Sequence, residues 1–295
     1  MNIVIQAVIS SLAIGGIYAL LALGYTIIFS TMKMSHFAQG DFFMIGTFFA
    51  YTFLNLWSMS FIPAFLLAIL SCMVVMLVVE RCVYRSMYKS SNIYIIMCTL
   101  GVGIVLRNLA QLIWGSETFA FTSPFSQTPI ELKLGGFTLS VVPLYLWIIG
   151  ICAALMIVLH IFLKYSKVGT AMRAVSMNRD AAMLCGVKLE RIIAVTYIIA
   201  AVLAAVAGIL VAPIYKVYST MGARVGEKAL TAAILGGFGD VRGAMLGGIL
   251  LGLIETFGSL YLTSAYKDAL SFGVLIIVLM FMPQGILGGK RTTKV

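Results

Sequence analysis

Asp41 and Asp240 occupy similar settings in this 295-residue chain, each following a glycine and each opening an apolar run, HFAQGDFFMIG and ILGGFGDVRGAMLGG. An acid at that position is favoured by the positive end of a helix dipole, and capping alone is enough to explain Asp41. The further chemistry such residues could do is solute binding. His36, Gln39, Gly40 and Asp41 in the first segment, and Gly236, Gly237, Gly239 and Asp240 in the second, offer polar side chains or bare backbone close to membrane depth. Irregular backbone is tolerated there only where protein buries it or water reaches it, and broken helices of this kind line solute pathways. These eight residues are the candidate translocation path. The competing reading for His36 is a satisfied structural histidine. For Gly243, Gly247, Gly248 and Gly252 it is small-xxx-small helix packing, while Gly236 to Asp240 form the break.

Other chemistries find no residues. Cys72, Cys82, Cys98, Cys152 and Cys185 are odd in number and show no CxxC spacing, and His36 and His160 cannot make a metal cluster unaided. Gly289-Lys290 is followed by Arg291 rather than Ser or Thr and lacks the upstream glycine of a phosphate-binding loop. Arg107 and Glu255 fall inside apolar spans, with Glu80 and Arg81 nearer an interface. Each must pair within the bundle or snorkel, because a charge at a helix centre costs about 2.5–3.5 kcal/mol on the insertion scale. Pairing between helices suits Arg107 and Glu255 better than a proton relay, for which one glutamate is a thin basis.

The elements that position these residues belong to a membrane protein. Hydrophobic residues make up 62% of the chain and charged residues 10%, against about 25% charge in soluble domains. Apolar windows near the ~20 residues needed for a crossing lie at about 5–30, 41–57, 61–83, 93–114, 141–163, 192–212, 243–263 and 268–287, with 228–242 harder to place. The expectation is an all-α polytopic bundle of about eight spans plus a short broken or re-entrant helix, all in one transmembrane domain, 1–295. From Glu227 to Ser264 the chain is tight for two full crossings, so a short helix should meet a full one near 236–243.

One polar island, Lys164 to Arg191, interrupts the spans and carries six basic residues against Asp180 and Glu190. The positive-inside tendency places it in the cytoplasm. Arg81, Arg85 and Lys89 then also face inward, as does the tail with Lys290, Arg291 and Lys294. Loop 115–140 faces outward, and the N-terminus is outside. No signal-peptide pattern is present, so Met1 is the expected mature start. The net charge of +10 reflects topology and inner-leaflet lipid rather than nucleic acid. Within the island, helix formers run from Val168 to Met177. Asn178 suits an N-cap, Asp180 a first turn, and Gly186 a stop. Two short helices with Met172, Val175, Ala182 and Met183 available to bury suit a docking surface for a soluble partner. A basic loop that serves topology alone remains the alternative.

The run GTAMRAVSMNRDAAMLCGVKLERIIAVTYIIAAVLAAVAGILVAP, followed by KALTAAILGGFGDVRGAMLGGILLGLIE, closely resembles the permease subunits of branched-chain amino-acid ABC importers, the LivH type. The likeness extends from GGIYALLALGYTIIFS to PQGILG and so covers essentially the whole chain. It implies a permease of the inner cell membrane, with the ABC importer permease fold, that moves leucine, isoleucine and valine by alternating access. The implied partners are a second permease of the LivM type, two cytoplasmic ATPases holding ATP and Mg, and an extracytoplasmic substrate-binding protein; the chain itself binds no cofactor. By the same resemblance Gly169, Arg173, Ala174, Asn178, Ala181 and Gly186, with Asp180 among them, form the coupling segment that seats in the ATPase. Where the family reads close to INFAHGE this chain has SHFAQGD, so His36, Gln39 and Asp41 depart from it, and Asp240 stands at a common serine. Related permeases carry urea and short-chain amides, which keeps the substrate open. A gradient-driven secondary carrier would want paired buried carboxylates or a sodium site, and a membrane enzyme would want a catalytic constellation.

Overall fold

Long apolar runs dictate long helices, since buried or lipid-facing backbone must satisfy its own hydrogen bonds. The computed structural model describes residues 2–88, 90–126, 128–134, 137–262 and 266–288. It begins with α1 (Asn2–Met32), followed by α2 (Gln39–Tyr51), which passes into a π turn over Thr52–Leu56. Next come α3 (Phe61–Val79), a second π turn (Glu80–Tyr84), the short α4 (Arg85–Met87) and α5 (Asn92–Trp114). Two antiparallel strands, β1 (Ile130–Leu134) and β2 (Phe137–Val141), form a hairpin before α6 (Pro143–Tyr165). The chain then gives α7 (Lys167–Met177), α8 (Arg179–Leu184), α9 (Leu189–Tyr215), α10 (Met221–Gly236), α11 (Val241–Tyr261) and α12 (Lys267–Phe281). Arg85 pairs with Glu190, which brings two basic stretches to one end of the bundle. Lys89 and the tail basic residues lie outside the described residues.

The expected helical membrane bundle is present, with fewer full spans than the windows suggested. Among the described residues six helical stretches are long and apolar enough to cross a membrane: Ile3–Met32, Phe61–Met87, Asn92–Trp114, Pro143–Tyr165, Leu189–Tyr215 and Val241–Tyr261. The window at 268–287 gives a shorter helix, and the one at 41–57 gives a helix of about its own length, α2 with its π turn, that is not among these six. Pro283 ends the former early, because the residue before a proline is pushed out of the helical region and Met282 sits at φ −132°. In the other case α2 starts deep in the bundle. The Gln39 amide donates to the Ala200 carbonyl, eleven residues and about 16 Å along α9. A hydropathy window records length and polarity but not depth, so it does not show that this helix, unbroken from Gln39 to Leu56, begins inside the bundle. The segment left unplaced at 228–242 is the second half of α10 and its turn, a short helix meeting a full one as the spacing required.

Helices α1 and α9 are surrounded by protein, whereas α3, α5 and α6 expose long apolar stripes such as Ile62, Leu66, Leu70, Val74 and Val78. At membrane depth such stripes face lipid. Helix α1 packs backbone to backbone on α11. A methyl built on Gly15 would lie 2.9 Å from Ile249 Cα, and one built on Gly252 would lie 2.6 Å from the Ser11 carbonyl oxygen. Close approach replaces the hydrophobic drive that lipid cannot supply. Gly101 has open space instead. Gly252→Leu should therefore lower the thermal midpoint of the detergent-solubilised protein by about 5 °C or more, while Gly101→Leu leaves it in place. Equal midpoints would overturn the α1–α11 packing argument.

Candidate functional site

The link from Lys33 to Ala38 brings the first polar group into the bundle, and α2 begins there. His36 is buried, its Nε2 is 3.0 Å from the Tyr84 hydroxyl, and its ring stands edge-on to Tyr84 and Tyr197. Gln39 reaches α9 through its amide nitrogen. His36 Nδ1 and Gln39 Oε1 have no hydrogen-bond partner among the described residues. Gly40 lies against Gly222 and Gly226 of α10, where a methyl would sit 2.9 Å from Gly226 Cα. Asp41 occupies the first turn, as expected, yet its carboxylate is not a cap. Arg107 Nε of α5 donates to its Oδ1 at 2.7 Å, and Nη2 approaches Oδ2 at 3.4 Å. Two isolated intramembrane charges of opposite sign were the available signal for this pair. Separated by 66 positions, they gave no spacing clue.

At the other break, Gly237 and Gly239 have φ of +116° and +105°, a region L side chains rarely enter. Gly236 ends α10 and packs on the Gly243 backbone, so the packing reading extends to one residue assigned to the break. Asp240 caps α11, its Oδ1 accepting from the Arg242 amide at 2.8 Å and the Gly243 amide at 3.4 Å. The chain near PQGILG closes over this end: the Ile286 and Leu287 amides donate to the Leu235 and Gly236 carbonyls, both at 2.9 Å. Those are helix-terminal carbonyls that would otherwise lack partners.

A third cluster was not anticipated beyond Glu255 itself. Glu255, fully buried on α11, accepts from the Tyr18 hydroxyl of α1 at 2.7 Å and pairs with Lys228 of α10. Lys228 also lies 2.7 Å from Asp268, and Lys267 Nζ is 3.4 Å from Glu255. Two lysines and two carboxylates neutralise one another, which is how buried charges persist.

The polar island folds as its capping signals required. Asn178 Oδ1 accepts from the Ala181 amide at 3.0 Å, Asp180 lies in the first turn of α8, and Gly186 takes φ +82°. Ser166, unforeseen as a cap, accepts from the Gly169 amide at 2.8 Å at the start of α7. Gly169 has no room for a methyl, which would sit 2.6 Å from the Phe162 carbonyl oxygen. Met172, Val175 and Ala182 are buried against the bundle, so three of the four apolar residues expected to be available are already used. The outward apolar face is instead Met177, Met183 and Leu184, with Met177 88% and Leu184 90% exposed. Arg173 is exposed and donates to the Lys164 carbonyl at 3.2 Å; Ala174 is half-buried beside it. Arg179 reaches back to the Met32 carbonyl and, at 3.4 Å, that of Thr31. A cation is favoured at that helix C-terminus. Burial pulls the Arg179 guanidinium below its usual pKa, with Asp180 partly offsetting the fall.

The five cysteines are free, and no group of three or more metal-ligating side chains occurs among the described residues. The family model for the permease component of branched-chain amino acid transport systems matches residues 7–279. The high-affinity branched-chain amino acid transport permease LivH of Escherichia coli is 35% identical over 99% of this chain and 97% of its own length. BraD of Pseudomonas aeruginosa, named likewise, is 34% identical over 99% and 98%. A probable ABC transporter permease, y4mJ of Sinorhizobium fredii, is 27% identical over 58% of this chain and 54% of its own. No solved structure gives a significant match. With a full-length match in sequence and a polytopic helical bundle to carry it, this chain belongs to the permease-component family of branched-chain amino acid transport systems.

Proposed function

We propose that this chain is one permease subunit of an ATP-driven importer that carries leucine, isoleucine and valine across the cytoplasmic membrane. Full-length similarity to LivH and BraD supports the substrate class, and the y4mJ relative supports the ABC mechanism. The observation that carries the reading is the α7–α8 pair. A membrane protein has no use for Met177 and Leu184 held outward at a polar end unless a partner covers them, since exposed apolar patches mark interaction sites. The occupant is a cytoplasmic ATPase, and a second permease of the LivM type brings another. ATP and Mg belong to those subunits, and an extracytoplasmic binding protein delivers substrate at the hairpin end. The N-terminus is then outside and the C-terminus inside.

Alternating access follows from differential contact. ATP shifts the permease only as far as the ATPases bind its two states unequally. Gly169, Arg173, Ala174, Asn178, Asp180, Ala181 and Gly186 fix the shape of the coupling segment, and Arg179 ties that segment to α1. The path residues of the two breaks act mainly through backbone in this reading, by letting α2 and α10 begin and end inside the bundle. His36, Gln39 and Asp41 hold the start of α2 through side-chain contacts to Tyr84, α9 and α5. A secondary carrier would draw on the Glu255 and Asp268 carboxylates. Both are committed to lysines, and uptake in vesicles lacking ATP decides that case.

Purification from the native membrane should recover this chain with a second permease and ATPases, and vesicles of the complex with its binding protein should take up leucine only with ATP. Isolation of the chain alone, with gradient-driven uptake, would overturn the assignment. Leu184→Asp should insert normally but lose the ATPases on purification; full recovery of them would place the docking surface elsewhere. Arg179→Ala should keep the ATPases and their hydrolysis while uptake falls about tenfold or more, as expected for loss of charged hydrogen bonds to the α1 terminus. Wild-type uptake in that variant would remove Arg179 from the coupling route.

A further inference from the structure

Two adjoining cavities of about 410 and 420 Å³ open between the outer part of α9, the first half of α10 and the start of α12. Each lies within the ~300–1,000 Å³ range of small-molecule sites. They share Tyr218, Arg224, Lys228 and Asp268. On the bundle side the wall is the neutralised cluster of Lys228, Glu255, Asp268 and Lys267, held to α1 by Tyr18. Across that wall every charge has its counter-charge.

Arg224 and Glu227 are different. Both are exposed on α10, three residues apart and so on one face of the helix. Both line the 410 Å³ cavity, and among the described residues neither side chain makes a hydrogen bond or a contact ion pair, Arg224 feeling the longer-range attraction of Asp268. The opposite face of α10, carrying Gly222 and Gly226, is occupied by α2, so these two charges face away from the protein interior. A charge at such a place in a membrane helix faces a water-filled cavity or a functional partner rather than lipid. The remaining lining is apolar where Phe272 and Ala223 stand.

We propose that this cleft is a binding station for a zwitterionic α-amino acid. Arg224 takes the α-carboxylate through its planar two-nitrogen fork. Glu227 accepts from the α-ammonium, and a branched aliphatic side chain lies on Phe272 and Ala223. The cluster behind it positions α10, and its half-exposed Asp268, already paired with Lys228, is a carboxylate near enough to attract Arg224. The assignment rests on the import reading above and narrows it. Urea or a short amide carries neither full charge and would form no ion pair with Arg224 or Glu227, so the cleft selects the amino acid among the substrates of related permeases.

The test is equilibrium binding of radiolabelled leucine to the purified complete transporter without its binding protein. Leucinamide, which lacks the carboxylate, and 4-methylpentanoate, which lacks the ammonium, serve as competitors. Wild type should prefer leucine to both. Arg224→Gln should bind leucine about tenfold or more weakly and lose its preference over leucinamide, and Glu227→Gln should lose its preference over 4-methylpentanoate. Recovery of each variant with all its subunits shows that it has folded, and a purely structural role would not move the two preferences selectively. Absence of leucine binding in wild type, equal competition by both analogues, or unchanged binding in both variants would overturn the station. Failure of the import reading is separate and would appear as a wild-type complex with no ATP-dependent leucine, isoleucine or valine uptake. Selective import and binding of another α-amino acid would remove the branched-chain assignment and still support the cleft.

Discussion

Helices α2 and α10 meet near their first turns inside the bundle, at Gly40, Gly222 and Gly226, and the arrangement of polar groups depends on that contact. Helix ends expose backbone donors that lipid cannot satisfy, so a helix can begin at depth only where protein encloses its start. Three glycines let the two backbones close over each other. The Asp41 and Phe42 amides then turn back to the Ala38 carbonyl at 2.9 and 3.1 Å, and the Gln39 side chain reaches α9. A side chain at Gly40 would separate the two starts. Because Gly222 and Gly226 commit one face of α10 to α2, Arg224 and Glu227 are turned to the other.

The charges obey the same constraint. Asp41 with Arg107 joins α2 to α5, and Glu255 with Lys228, Lys267 and Asp268 joins α11 to α10 and α12. Buried pairs contribute less to net stability than their Coulomb energy suggests, because desolvation offsets most of it, but removing one partner strands the other. Their effect is to specify which helices are neighbours where apolar faces alone would slide. Against that background, Arg224 and Glu227 stand out as opposite charges exposed on one face of α10 with no contact ion pair of their own among the described residues.

Much of this was legible in the chain itself. The caps at Asn178 and Gly186 and the glycine break at 237–239 rest on local chemistry, which acts within a few residues and survives folding. Depth and pairing did not show. Nothing in HFAQGDFF distinguishes a helix starting at the membrane surface from one starting halfway across it, because the answer lies with Ala200 and Gly222, far along the chain. The same applies to Met172, Val175 and Ala182, whose burial was readable but whose partner, this bundle rather than a second protein, was not. The alternating runs either side of Gly135-Gly136 carried the signal of the hairpin, a pattern easily lost among apolar spans.

Helix α1 connects the two ends of the argument. Its C-terminal carbonyls are held by Arg179 of α8, and Tyr18, fourteen residues and about 21 Å back along the same helix, holds Glu255. Between those points α1 is buried and packed against α9, α10 and α11, with no proline or glycine pair after Gly24 to absorb a bend. A displacement of α7–α8 therefore has two outcomes: it carries α1, and with it the anchor of the Lys228 cluster, or it breaks the Arg179 bonds and stops at the membrane surface. The close-packed glycine contacts between α1 and α11 favour the first, since interdigitated backbones move as a unit before they slide. In the proposed importer, a push at the polar end would then reach the wall of the cleft at the other as a shift of Glu255, and would change the geometry α10 offers to a ligand without any residue of the α7–α8 pair approaching it.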